Sequence, residues 1–280
     1  MLQITPLILT YNEAANIGRT LDQLGWAEDI VVVDSFSVDE TLEIIARYPK
    51  ARVLQRTFDN FANQCNFGIE QGNIRTDWVL SLDADYVLTN ELIAELRALE
   101  PESSIGGYRA RFVYCINGRR LRSGIYPPVT VLFRKAAASY RTDGHAHRVV
   151  VDGAIADLGA PLLHDDRKSL RRWFDSQSRY TEEEAKKLLA AEPGSLTWTD
   201  RIREWRIVAP PAMLFYCLIL RGGVLDGLAG FYYAFQRALA ELMISLYLME
   251  SNQQENHQPH TNADHTDKKR EEEKRRTAVT

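Results

Sequence analysis

In the first hundred positions, short apolar runs alternate with stretches of helical spacing. Leu7-Ile8-Leu9-Thr10 is an apolar run ending in polar residues, and Ile17, Leu21 and Leu24 then recur at helical intervals over 16–24. Ile30-Val31-Val32-Val33-Asp34 is a β-branched run suited to a strand buried on both faces. Ser37 and Glu40 form an S-x-x-E pattern before the periodic Leu42, Ile45 and Ala46, which predicts a capping box and a helix. A third strand is expected at 51–54, a helix at 61–71, a fourth strand at 78–83 and a helix at 90–99. Strands spaced by helices in this way predict parallel βαβ units.

Beyond residue 105 the rhythm changes. Residues 108–115 and 129–134 read as strands, and Asn117-Gly118 and Asp152-Gly153 are hairpin-type dipeptides. Mixed or antiparallel strands are therefore expected beside the parallel sheet over 105–163. From Ser169 to Ala191 the period is helical, and Pro193-Gly194 breaks it.

Residues 199–250 are different again. Ile207 to Leu220 carries no charge, and Val224 to Met249 is mostly apolar but contains Asp226, Gln236, Arg237 and Glu241. A spanning helix needs roughly 20 predominantly apolar residues, and neither stretch meets that. Two interfacial or re-entrant helices are expected, with Trp205, Phe215, Tyr216, Phe231, Tyr232, Tyr233 and Tyr247 as interface aromatics. The alternative roles are covering the core or forming a homo-oligomer interface. Residues 251–280 are polar and expected to be disordered or a frayed helix.

Composition bounds this picture without defining it. The 280 residues carry a formal net charge of -4, which argues against a nucleic-acid partner. A mean hydropathy of -0.30 argues against a polytopic membrane protein. That mean averages an ordinary α/β body, an apolar region and a polar tail. The three cysteines are widely spaced with no CxxC, so neither a disulfide framework nor a zinc site is expected, and a reducing compartment fits. No basic segment precedes the first apolar run, so no signal peptide is expected.

The candidate chemistry lies at strand ends, where open parallel sheets bind ligands. The first strand ends in Thr10-Tyr11-Asn12-Glu13, the second in Asp34-Ser35 and the fourth in Asp83-Ala84-Asp85. Helix capping accounts well for Asn12 and Ser35 but poorly for Asp83 and Asp85. Two carboxylates this close repel unless a cation or hydrogen bonds compensate. A D-x-D at a strand end suits Mg2+ or Mn2+, which prefer carboxylates, phosphate oxygens and water. No Gly-rich phosphate loop is present. Carboxylates and metal would therefore hold a nucleotide, with Asp34 able to accept from a base N–H or a ribose hydroxyl.

These segments, Leu9 to Glu13, Val31 to Thr41 and Asp77 to Asp85, resemble in order and spacing the family 2 glycosyltransferases of the GT-A fold. The subgroup most resembled includes the glucosyltransferases of lipopolysaccharide core synthesis, whose Q-x-N is similar to Gln64-Cys65-Asn66. The resemblance covers roughly residues 5–165. It implies a Rossmann-like, mostly parallel sheet flanked by helices, here followed by a membrane-associating helical region. It also implies that Thr10 and Glu13 line the nucleotide pocket, and that Asp34 contacts uracil. Asp83 would meet the ribose and metal shell, Asp85 would be the main metal ligand, and Gln64 and Asn66 would face the donor sugar. Inverting displacement needs a general base near the acceptor hydroxyl. The chain departs from the pattern there. Tyr86 follows Asp85 in place of Glu, and Arg148 stands where the subgroup carries the Glu of a His-Glu pair. Asp143 is the first choice for the base, with His145 and His147 as alternatives. His164 is a candidate for the metal shell or the diphosphate, a structural histidine being the other reading. Arg134, Arg167, Lys168, Arg171 and Arg172 are cations that could meet phosphates, although Asp165, Asp166 and Asp175 flank most of them.

The expected division is a catalytic domain over 1–165, a helical arm over 166–198, an apolar region over 199–250 and the tail. The expected activity is transfer from a nucleotide-diphosphate sugar, UDP-linked, to a glycolipid or lipopolysaccharide-type acceptor. The expected location is the inner face of the cytoplasmic membrane, with Arg201, Arg203, Arg206 and Arg221 facing anionic lipid. The rivals are a nucleotidyltransferase, which would usually need the missing phosphate loop, and a scaffold that has lost its base.

Overall fold

The computed structural model describes residues 2–143, 146–192 and 194–257, the side chains of 142–148 and 252–257 excepted. The chain opens with β1 (Ile4–Thr10), α1 (Ile17–Asp22), β2 (Ile30–Asp34), α2 (Thr41–Ile45), β3 (Ala51–Gln55) and α3 (Phe61–Gln71). It continues with β4 (Trp78–Asp83), β5 (Tyr86–Leu88), α4 (Asn90–Ala98), β6 (Ile105–Ala110), β7 (Phe112–Ile116), β8 (Arg119–Arg120) and β9 (Val129–Arg134). Then come β10 (Ala138–Asp143), β11 (Ala146–Val151), β12 (Ala154–Asp157) and β13 (Leu162–His164). The C-terminal part holds α5 (Leu170–Ala190), α6 (Trp198–Glu204), α7 (Ala209–Phe215) and α8 (Leu228–His257).

The main sheet has seven strands in the order β12-β6-β9-β4-β1-β2-β3, and β9 alone runs against the others. Strand periodicity divides its apolar residues between two cores. Ile8, Val32, Leu80 and Leu82 pack with Ile17 and Leu21 of α1 and Leu92 and Leu96 of α4. Leu7, Val31, Val33, Val79 and Phe133 pack on the other face with Ala62 and Cys65 of α3. The expected mostly parallel sheet with flanking helices is thus observed, and β2 is buried on both faces as its β-branched run predicts.

Several local expectations fail for longer-range reasons. The run 108–115 is not one strand: it divides at Arg111 into β6, in the main sheet, and β7, in a four-stranded sheet ordered β5-β13-β7-β8. Asn117-Gly118 does close a hairpin, with φ of 49° and 81°, between β7 and β8. Asp152-Gly153 does not, because β12 leaves β11 to pair in parallel with β6. Ser37 caps no helix. Its hydroxyl donates to Asp34 Oδ1 and accepts from Asn12 N, and α2 begins at Thr41 without a side-chain cap. Residues 251–257 continue α8, within the helical alternative expected for them.

The C-terminal helices pack onto the body and onto each other. Cys217, Tyr233 and Ala234 enclose Leu121, while Ala185 and Leu188 of α5 pack against Ile244 and Leu248 of α8. Arg203 does not face outward as expected. Its guanidinium bridges Glu241 (2.8 and 2.9 Å) and Glu184 (2.8 Å), joining α5, α6 and α8. Apolar residues lie on both sides of α8, and its inner side buries polar groups as well. Glu241, Ser245 and neighbouring Asp226 are buried, whereas Leu228, Tyr232, Phe235, Leu242 and Leu246 are exposed. Among the described residues, no helix is long and apolar enough to cross a membrane.

Candidate active site

Pairing of three adjacent strands brings the motif residues to one edge. β1 sits between β2 and β4, with Thr10 opposite Asp34 and Leu9 opposite Asp83. Asp34 is fully buried and accepts from Ser37 N (3.0 Å), the Ser37 hydroxyl (2.5 Å) and Gln55 Nε2 (3.1 Å). These bonds hold the turn after β2. The Thr10 hydroxyl is buried and has no hydrogen-bond partner among the described residues.

The D-x-D turn is fixed from two sides. The Thr20 hydroxyl of α1 donates to Ala84 O at 2.7 Å, and Asp165 N donates to Asp85 O at 3.1 Å. The chain then enters β5, which pairs with β13 so that Tyr86 lies opposite His164. This places His164 Nε2 3.2 Å from Asp85 Oδ2. Burial would raise the Asp85 carboxyl, but the charge and hydrogen bond of His164, with Lys168, outweigh it and hold the carboxyl below its ordinary value. Burial opposes protonation of His164, yet the Asp85 carboxylate prevails and raises the imidazole. Rings of Tyr86, Tyr114 and Tyr126 surround His164, with centroids 5.4, 4.8 and 5.0 Å from it.

Glu13 and the segment after β13 form a second polar cluster. Lys168 Nζ reaches Glu13 Oε1 at 2.6 Å, and Asn16 donates to Glu13 (2.8 Å) and Asp166 (2.9 Å). Burial raises the Glu13 carboxyl despite the Lys168 charge, and Glu13 in turn helps hold Lys168 above its ordinary value. Asp165 accepts from Arg19, Arg167 and Gly118 N. Arg172 donates to the carbonyls of Asn12 and Tyr11. The cations of 167–172 thus largely fasten their own segment to the loop after β1. Arg134 lies away from this edge, because it pairs with Trp78 at the opposite end of β4 and covers its ring.

Gln64 donates to the Ser35 hydroxyl at 2.8 Å and so lies beside the turn after β2. Asn66 makes two bonds to the Tyr140 backbone (2.9 and 3.0 Å), pinning β10 to α3. Asp143 ends β10 opposite Ala146, and His147 of β11 stands opposite Thr142. Only their backbone positions are described, and His145 lies outside the described residues. Sequence reasoning missed the tyrosines around His164, which come from three separate segments with no shared spacing. It also missed the Asn16 cluster, for which the acidic pair 165–166 was the only signal.

The donor set suits a hard divalent ion. Asp85 Oδ1 is buried without a hydrogen-bond partner among the described residues. No three His, Cys, Asp or Glu side chains among those residues form a cage.

The family model "Glycosyl transferase family 2" matches residues 7–141. The lipopolysaccharide core biosynthesis glycosyltransferase LpsC of Rhizobium meliloti (strain 1021) is 27% identical, over 82% of this chain and 86% of its own. An uncharacterized glycosyltransferase of Rickettsia bellii (strain RML369-C) is 28% identical, over 67% and 68%. Among solved structures, residues 1–349 of S. aureus TarS with UDP-GlcNAc give a TM-score of 0.49 at 16% identity, covering 90% of this chain and 92% of that one. Residues 7–141 are a family 2 glycosyltransferase domain, and the chain is a glycosyltransferase.

Proposed function

We propose that this enzyme moves a sugar, with inversion, from a UDP-linked nucleotide sugar to a hydroxyl of a glycolipid or lipopolysaccharide-type acceptor. The observation that carries the reading is the common edge of Thr10, Asp34 and Asp83 beside the buried Asp85 Oδ1, which has no hydrogen-bond partner among the described residues. Asp34 would hold the uracil, Asp83 the ribose, and Asp85 with His164 a Mg2+ or Mn2+ ion. Such an ion, when bound, would neutralise charge on the departing diphosphate. The chain's own groups do the rest. Thr10, Glu13 and Gln64 line the nucleotide and donor side, with Asp143, His145 and His147 as the candidates for the base. As the acceptor oxygen bonds to the anomeric carbon, its proton passes to that base and the carbon–oxygen bond to the diphosphate breaks.

The LpsC relative supports an envelope acceptor. The outward apolar residues of α8 and of 205–225, with the exposed Arg201 before them and Arg221 among them, support docking on the anionic inner face of the cytoplasmic membrane. The test is hydrolysis of a panel of nucleotide sugars by purified protein, with and without Mn2+. Metal-dependent release of UDP from one donor is expected. A panel without any turnover contradicts the reading and favours a scaffold.

A further inference from the structure

The C-terminal region reaches His164 by two routes. The first starts at Asp226, buried in the turn before α8. Its Oδ2 accepts from Arg122 N (2.9 Å), Ser123 N (3.0 Å) and the Ser123 hydroxyl (2.9 Å). Arg221 donates to Gly124 O at 2.9 Å, and Ile125 N donates to the Tyr233 hydroxyl at 3.1 Å. Four consecutive residues of the loop between β8 and β9 are therefore held by 221–233. The next residue is Tyr126, whose ring packs on His164 and whose hydroxyl lies 2.9 Å from that of Tyr86. The second route is a ring stack: Tyr233 lies 4.8 Å from Tyr114, and Tyr114 lies 4.8 Å from His164. Glycine at 124 permits this closeness, since a Cβ there would stand 2.9 Å from the Tyr114 Cβ.

We propose that Asp226 is a positioning residue for the transfer reaction: it holds the loop that presses Tyr126 against His164, and so fixes the Asp85–His164 pair. The reaction itself rests on the function proposed above, whereas the contact chain stands on its own geometry. Asp226 is buried, and its carboxylate accepts from Arg122 and Ser123. It acts by removing slack, and displacing a reacting group by about 1 Å can cost about 100-fold in rate. The apolar region thereby becomes part of the catalytic architecture as well as a cover for it.

The test compares full-length wild type, Asp226→Ala and Asp226→Asn by two readouts. One is kcat and KM for nucleotide-sugar hydrolysis. The other is the rate at which diethyl pyrocarbonate modifies His164, followed by peptide mass spectrometry. Asp226→Ala is expected to lower kcat about tenfold with little change in donor KM, consistent with lost positioning. It is also expected to speed His164 modification, and Asp226→Asn is expected to restore much of both. A folded Asp226→Ala protein with wild-type kcat and wild-type His164 modification overturns the proposal. If Asp226→Ala does not fold, Ser123→Ala and Gly124→Ala replace it under the same criteria. If the wild type hydrolyses no nucleotide sugar, the donor reading fails, and His164 modification alone decides for or against the contact chain.

Discussion

His164 and Asp85 stand 3.2 Å apart although 79 positions separate them. The contact exists because the D-x-D turn runs directly into β5, and β13 lies against β5 with His164 opposite Tyr86. Replacing His164 by Phe keeps a ring among the three tyrosines but removes both nitrogens. We expect donor hydrolysis to fall at least about tenfold, and the melting temperature to fall as well, because the buried Asp85 carboxylate loses its partner. Activity and thermal unfolding, measured on the same preparation, check this. Retained activity would reduce His164 to a packing residue.

Asn66 holds Tyr140 through its side-chain amide, whose nitrogen donates to Tyr140 O and whose oxygen accepts from Tyr140 N. Asn66→Ala should cost about 1–3 kcal/mol, because it leaves backbone groups of β10 without these partners. Urea unfolding measures the loss, and hydrogen exchange should quicken at Tyr140. A variant with unchanged stability but a raised donor KM would instead support the donor-facing role implied by the family resemblance.

Arg203 ties Glu241 and Glu184 together, and the Glu241 side chain is only 3% exposed. Arg203→Met leaves buried carboxylates without their cation, which should destabilise the protein by about 3–5 kcal/mol. Denaturant unfolding reads this directly. A double variant that also carries Glu241→Gln should recover part of the loss, since the uncompensated charge is then smaller.

The outward apolar side of the C-terminal region should bind lipid. Liposomes with anionic headgroups should carry the wild type to the top of a density gradient. Leu225→Glu with Leu228→Glu should leave more protein at the bottom, because both side chains are exposed. Equal flotation of variant and wild type would remove this segment from any membrane contact.

How far the chain could be read from its sequence depended on the range of the contacts. β1, β2 and β4 were legible because buried parallel strands carry dense apolar runs, and their terminal acids point to one sheet edge. The division at Arg111 was not legible, since a strand changing sheets keeps its local alternation. Ser37 followed a capping pattern, yet Asp34 and Asn12 compete for the same hydroxyl from other elements. Which side of α8 faces protein was hidden as well, because apolar residues occupy both sides of it. The contacts of Glu241, Ser245 and Tyr233, with the packing of Ala234, Ile244 and Leu248, reveal which side faces protein.

The central claim is that Asp85 binds the nucleotide diphosphate through a divalent ion. Calorimetric titration of UDP into wild type and Asp85→Asn, each with and without Mn2+, tests it most directly. The account predicts UDP binding by the wild type with Mn2+, weakened at least about tenfold when either the metal or the carboxylate is removed. Equal UDP affinity in all four titrations would contradict it.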